Sequence, residues 1–343
     1  MKVLLQGGLG NQMFQYAFAR ALAHRGYKVA LDAAWGYTKY SHFYPNSIFS
    51  LTRKKLMGGG GIKQETEHIR NLELQQFAIS LPIVRFNPPK PHSKDFYNLI
   101  ATKMMTRLCP FYSPANRLIY PFFTYESQSL LDTFLSRKTF RPHSYFIGHF
   151  TNLKYFEEVD SILRKEFVPR TISLHTQSLA QQITATPKTA FLHIRRGDYL
   201  IDKHWRFIKL GSAYYNAALK ALIKKSKNPV VFVFSDDILW CKEHFTQYLD
   251  SMLYRQVEFV FMEGNGEGNA IEDLMLMRSC QNGIMANSTF SYWAAYLIDN
   301  PSKLIYAPAY NFYEPHRNVT THLPHSWQRY EHIWGMRIDS EST

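Results

Sequence analysis

The sequence is short of several things, and each shortage closes off a class of protein. Cysteine occurs only three times in 343 residues, at Cys109, Cys241 and Cys280, at spacings that fit neither a zinc site nor a disulfide framework. Reduced thiols in a cytoplasmic setting are the expectation. No stretch approaches the ~20 apolar residues that cross a bilayer, and Met1-Lys2-Val3-Leu4-Leu5 is too brief for the apolar core of a signal peptide. A soluble chain, at most peripheral at the inner face of a membrane, is expected. There is no internal repeat and no Asp-x-Asp pattern of the kind that holds a metal. Acidic residues are few as well: 27 Asp and Glu face 40 Lys and Arg, a net charge of +13. That excess would suit a nucleic acid, an anionic membrane or a phosphorylated substrate, and charge alone does not choose among them.

What is present is enough apolar matter for large cores, 45% hydrophobic and 15% aromatic, in a length that suits two domains. Residues 2–5 read as a buried strand, followed by a glycine loop and an apolar helical stripe through Met13, Phe14, Ala17, Phe18, Ala21 and Leu22 that ends at Gly26. A second strand follows near 28–31. From about 51 to 145, glycines and prolines break the pattern, and this part reads as an irregular insertion. Strand candidates then recur at 189–195, 229–235, 257–261, 283–287 and 303–307, with helical patterns between them, as βαβ units require. Ser212 is a plausible cap for one of these helices, and Asn269 with Glu272 forms a capping-box pattern for another. Two doubly wound α/β domains follow, divided near 180, with ligands expected at the carboxyl ends of the strands.

Four segments carry chemistry. The first, Gly7-Gly8-Leu9-Gly10-Asn11-Gln12, could bring backbone close to a phosphate at a helix N-terminus, but it lacks the third glycine of a dinucleotide fingerprint; a tight turn packing the first helix explains it equally. The second, His193-Ile194-Arg195-Arg196-Gly197-Asp198-Tyr199, ends a strand with permanent cations that can neutralise a leaving pyrophosphate where a metal otherwise would; a surface salt bridge between Arg196 and Asp198 is the plainer account. In the third, Phe234-Ser235-Asp236-Asp237, a carboxylate could accept hydrogen bonds from a guanine edge or a ribose hydroxyl, or Asp237 could simply cap a helix. The fourth runs from Ala286 to Trp293, where Ser288 and Thr289 cap a helix able to hold phosphate, and ordinary capping accounts for the same letters. Recognised nucleic-acid-binding modules are not evident, and no nucleic-acid partner is expected.

In order and together, these four segments resemble glycosyltransferase family 11, the α-1,2-fucosyltransferases, and especially its bacterial members. The resemblance spans the chain. It implies a GT-B fold of two Rossmann-like domains facing a central cleft, with the acceptor on residues 1–180, GDP-fucose on 181–343, and the last segment packing back on the first domain. It further implies inverting transfer of fucose to a terminal galactose of a glycan, in bacterial surface polysaccharide (O-antigen) synthesis, with a lipid-linked acceptor and no metal or other cofactor.

Carried over by residue, Arg195 resembles the arginine on the β-phosphate, His193 and Asp236 the guanosine contacts, and Ser288, Thr289 and Phe290 the pyrophosphate loop, with Arg196, Asn11 and Gly10 also on the donor. Asp198 is a candidate general base. Gln12, His149 and Phe150 are acceptor-side candidates, although Gly148-His149-Phe150-Thr151-Asn152 departs from the more aromatic Gly-Tyr-Trp-Gln run of many relatives. Fucosyltransferases of other linkage, α-1,6 or to a protein hydroxyl, share the arginine motif and stand as the alternative, as does a non-catalytic nucleotide-binding protein.

Overall fold

The computed structural model describes residues 1–33, 71–84, 123–141, 144–197, 206–263, 269–313 and 323–338. The chain forms two compact units. One comprises Met1–Gln75 with Ile79–Glu166, the other Gln76–Ala78 with Phe167–Thr343. The junction at Glu166 and Phe167 falls before the expected boundary near 180.

The first unit holds β1 (Lys2–Leu4), α1 (Leu9–His24), β2 (Ala30–Asp32), β3 (Ile83–Val84), β4 (Phe123–Tyr125), α2 (Gln128–Leu135), β5 (Tyr145–Ile147) and α3 (Asp160–Glu166). Its sheet is parallel throughout, in the order β3-β2-β1-β5-β4. The segment expected to be irregular thus contributes two of the five strands and a helix. Both strands are short and lie next to prolines, Pro82 before β3 and Pro121 before β4, which in the letters read as breaks.

Helix α1 is buried on nearly every side, with its stripe from Met13 to Leu22 in the core. It stops where Gly26 turns left-handed at φ +90°. The Tyr27 N–H then donates to the Leu22 carbonyl and the Gly26 N–H to that of Ala23, which satisfies carbonyls a helix end otherwise leaves bare.

Two glutamines of α1 act as internal staples. Gln12, expected on the acceptor side, is completely buried: its Nε2 donates to the carbonyls of Gly7 and Asn71, and its Oε1 accepts from the N–H groups of Glu73 and Leu74. Gln15 ties Gln6 to the Gly148 carbonyl, joining the loops that follow β1 and β5. Phe150, also expected at the acceptor, lies in the core at φ +54°, stacked on Phe18 with centroids 4.1 Å apart.

The second unit holds α4 (Leu174–Ala185), β6 (Thr189–Ile194), α5 (Ser212–Lys225), β7 (Val230–Ser235), α6 (Ile238–His244), α7 (Ser251–Tyr254), β8 (Glu258–Phe261), α8 (Ala270–Arg278), β9 (Asn282–Ile284), α9 (Thr289–Leu297), β10 (Ile305–Pro308), β11 (Gln328–Tyr330) and β12 (Arg337–Ile338). The strand order is β12-β11-β10-β9-β6-β7-β8, with only β12 antiparallel. Leaving β12 aside, this is the doubly wound dinucleotide-type order, in which connections diverge on either side of β6.

All six residues of β6 are buried, as a strand covered on both faces requires. The last described segment gives its strands to this unit's own sheet. Two expected caps are replaced. Gly211 precedes α5, so Ser212 is its first helical residue, and Asn269 makes no side-chain cap while Glu272 reaches instead to Ser173 and Thr176 at the start of α4. Among the described residues, no helix is long and apolar enough to cross a membrane.

The staple at Gln12 is open to test. Gln12→Leu keeps the bulk but orphans two buried N–H donors and two carbonyls, and is expected to lower stability by roughly 2–4 kcal/mol. A denaturation midpoint unchanged from wild type would show that the 71–74 segment does not depend on it.

Candidate functional site

Parallel pairing of β6 with β7 sets His193 opposite Phe234 and Ile194 opposite Ser235. The two strands therefore end level, and Arg195-Arg196 leaves the sheet beside Asp236-Asp237. Each arginine faces a carboxylate. Arg195 Nη1 lies 3.1 Å from Asp236 Oδ2, with both side chains about a quarter exposed, and Arg196 Nε lies 3.2 Å from Asp237 Oδ2.

Asp236 holds the backbone as well. Its Oδ1 accepts from the Arg196 N–H at 2.8 Å, and its carboxylate sits where a Cβ on Gly197 would fall, so glycine is the residue that lets the loop close over it. A carboxylate expected on the nucleoside is here the post to which the arginine loop is tied.

Arg196 is held differently from its neighbour. Its guanidinium carbon stands 3.3 Å from the centroid of the Trp240 ring, and its Nε faces Asp237, which also caps α6 by accepting from the Trp240 N–H. A stacked, paired arginine is fixed in place. Arg196, expected on the donor, is thus held in the loop by Trp240 and Asp237. Trp240 was missed in the sequence; its position three residues after a capping aspartate, on the first turn of α6, was the available signal.

On the other side of β6 lies β9, after which the chain turns into α9. Ser288 caps that helix by accepting from the Phe290 N–H. Thr289 and Phe290 form its first turn, both half-buried, and the Phe290 ring meets the His193 ring edge-on at 5.7 Å. Asn287 is buried and donates to the carbonyls of Ile208 and Asn311, which anchors the turn.

His193 is 4% exposed, and its Nδ1 has no hydrogen-bond partner. Burial first, and then the charge of Arg195, push its pKa down to about 4, against an opposing pull from Asp236. The ring is therefore neutral at physiological pH, and its Nδ1 is unmatched among the described residues. Structure thus gathers His193, Arg195, Arg196, Asp236, Ser288, Thr289 and Phe290 around one strand end. Asp198 lies outside the described residues.

In the first unit, the loops after β1 and β5 adjoin because those strands pair. Gly7 makes the turn at φ +81°, and the Asn11 amide lies so close over it that a Cβ there would collide. Asn11 and Gly10 occupy the first turn of α1, and His149 is exposed on the neighbouring loop. Glu126, at the end of β4, was not anticipated. Its Oε2 accepts from the N–H groups of His149 at 2.8 Å and Phe150 at 2.9 Å, and so shapes that loop.

The family described as glycosyl transferase family 11 matches residues 1–328. An alpha-1,2-colitosyltransferase of Escherichia coli is 35% identical over 188 residues, 54% of this chain and 62% of that protein. The O-antigen biosynthesis glycosyltransferase WbnK, also of Escherichia coli, is 27% identical over 89% of this chain and 92% of its own. A galactoside alpha-(1,2)-fucosyltransferase 1 of Oryctolagus cuniculus is 28% identical over 50% of this chain and 47% of its own. The chain therefore matches less than two thirds of the first and last of these relatives and nearly all of WbnK.

The state of His193 can be measured directly. Between the ordinary imidazole pKa of ~6.5 and about 4, the unfolded chain binds more protons than the folded one, so stability falls as pH is lowered across that window. The His193 ring signal is expected to remain that of a neutral imidazole at pH 5, and His193→Gln should flatten the acid slope of stability. A ring that titrates near pH 6.5 would contradict the burial described.

Proposed function

The chain belongs to glycosyl transferase family 11, and from that premise we propose that it moves L-fucose from GDP-fucose to the 2-hydroxyl of a terminal galactose, with inversion and without a metal. The observation that carries the reading is Arg195 at the end of β6, held by Asp236, beside the N-terminus of α9.

As the bond from the anomeric carbon to the β-phosphate breaks, positive charge grows on the sugar and negative charge on GDP. Only groups that bind the second charge better than the ground state accelerate the step. Among the described residues at these strand ends, two arginines are each paired with an aspartate, so placement of the guanidinium matters beside its charge. Orientation is the proposed device: Asp236 tethers one Nη of the planar Arg195 fork at the end of β6, and the proposed pyrophosphate position is between that fork and the helix terminus at Ser288 and Thr289. Neutral His193 offers its ring nitrogen to the nucleotide without adding charge. In the first unit, exposed His149 is the proposed acceptor contact. Asp198 is the proposed base that takes the proton of the attacking hydroxyl.

A second reading follows from the 35% identity to a colitosyltransferase. Colitose is fucose without its 3-hydroxyl, so the same phosphate machinery serves either sugar. A pocket that hydrogen-bonds the 3-hydroxyl would reject the 3-deoxy sugar by roughly 10⁴-fold.

The test is release of GDP, in the presence of EDTA, from GDP-fucose, GDP-colitose and GDP-mannose, with and without lactose, followed by linkage analysis of the product. Acceptor-dependent release from GDP-fucose and an α-1,2 product are expected; release from GDP-colitose alone would move the assignment to the second sugar, and an α-1,6 product would overturn the linkage. Arg195→Lys keeps a charge but loses the planar fork and is expected to cut kcat about 100-fold to 1000-fold with folding intact. Near-normal turnover of Asp198→Asn would remove Asp198 as the base.

A further inference from the structure

The loop that joins β11 to β12 is built to present apolar side chains to solvent. Ile333 is 59% exposed, Trp334 77% and Met336 57%. Three large apolar side chains within four residues at a loop tip differ from singly scattered ones, which need no explanation.

The loop is also rigidly held. Glu331, itself buried, accepts from the N–H groups of Ile333, Trp334 and Met336, and its own N–H donates to the Met336 carbonyl. Gly335, at φ +68°, presses against the Ala213 carbonyl and the Ala217 Cβ on the first turns of α5, where any side chain would collide. A buried carboxylate and a glycine contact therefore fix the backbone of residues whose side chains touch little.

The surroundings are basic. Residues 206–227 contain Arg206, Lys209, Lys220, Lys224, Lys225 and Lys227 and no acidic residue, and all six cations are exposed. Two of them are tied close to the loop: the Tyr313 N–H donates to the Arg206 carbonyl, the Lys209 N–H donates to the Tyr313 hydroxyl, and the Tyr313 ring meets His332 at 5.9 Å. Lys220, seven positions after Ala213, continues the stripe of α5 on which Gly335 rests, whereas Lys227 lies past the other end of the helix, where Lys188 donates to its carbonyl.

We propose that the loop at 331–336, with Arg206, Lys209 and Lys220 beside it, is the surface by which this protein rests on an anionic lipid bilayer. Ile333, Trp334 and Met336 enter the headgroup boundary, where an indole ring is at home, and the cations face the lipid phosphates. A protruding tip suits a fluid phase, whereas a protein partner would need a broad complementary face. The purpose rests on the reading that the acceptor is carried by a lipid. β11 is parallel to β10, so the loop leaves the same edge of the sheet as the Arg195 loop and α9. The contact itself does not depend on transfer.

The experiment is sedimentation of the full chain with vesicles of phosphatidylglycerol and phosphatidylethanolamine, against phosphatidylcholine alone, with GDP release on a soluble acceptor measured in parallel. Salt-sensitive binding to the anionic vesicles is expected. Binding should fall at least tenfold in the triple variant Ile333→Ser, Trp334→Ser, Met336→Ser and about fivefold for each of Lys209→Glu and Lys220→Glu, while turnover on the soluble acceptor stays that of the wild type. Brominated acyl chains should quench the fluorescence that Trp334→Ser removes. No binding to anionic vesicles, equal binding by the triple variant, or a dimer in solution that the triple variant abolishes would each overturn the proposal, the last by assigning the loop to a second copy of the chain. Loss of soluble turnover in the wild type would instead count against the transferase reading.

Discussion

The second unit depends on the way β6 is paired. It is hydrogen-bonded to β7 on one side and β9 on the other, both parallel to it, while the connections to those strands depart in opposite directions. Where connections diverge, no helix covers the carboxyl ends of the central strands, and a crevice opens. The residues after β6 must enter it. So must the turn after β9, which begins a helix with its positive end toward the opening. Position in the sheet, before any side chain is considered, makes this edge suited to an anion.

Electrostatics then divides the work among adjacent groups. Asp236 lies against Arg195 and the Arg196 amide and exerts an upward pull on the pKa of His193. Burial and the arginine charge outweigh that pull, and the imidazole remains neutral. An imidazolium there would add a further buried positive charge next to Arg195, at a desolvation cost that the single carboxylate does not offset. The site thus sets a tethered arginine, a neutral imidazole and a helix terminus beside one strand end.

Much of this was legible in the letters, for physical reasons. β6 to β10 have apolar runs of Val, Ile, Phe and Ala bounded by turn residues, and their expected limits differ from the observed ones by a few residues. Ser288 and Asp237 cap as short polar residues before helices do. Illegible were the short strands next to prolines, β3 and β4, and every contact made across the chain. Glu126 reaches loop residues 23 and 24 positions away, Glu272 leaves its own helix for one that begins near Ser173, and Trp240 meets Arg196 only because β6 and β7 end together. Phe150 is an acceptor-side candidate in the letters, yet a left-handed backbone turns it onto Phe18 in the core.

The resemblance to the family was carried by motifs, and the structure shows that such motifs mix residues of two kinds. In the first helix, Asn11 is half-buried at the strand edge while Gln12 and Gln15, one and four positions on, point inward and carry backbone hydrogen bonds. In the arginine motif, the two guanidiniums are adjacent in sequence, but one is tethered to Asp236 beside the crevice and the other is clamped between Trp240 and Asp237. A match of letters cannot separate ligand contact from scaffold, because both are required for the loop to exist. What separates them is where the hydrogen-bonding groups are directed: a polar side chain satisfied by its own chain holds the site, and one like His193 keeps a buried nitrogen unmatched among the described residues.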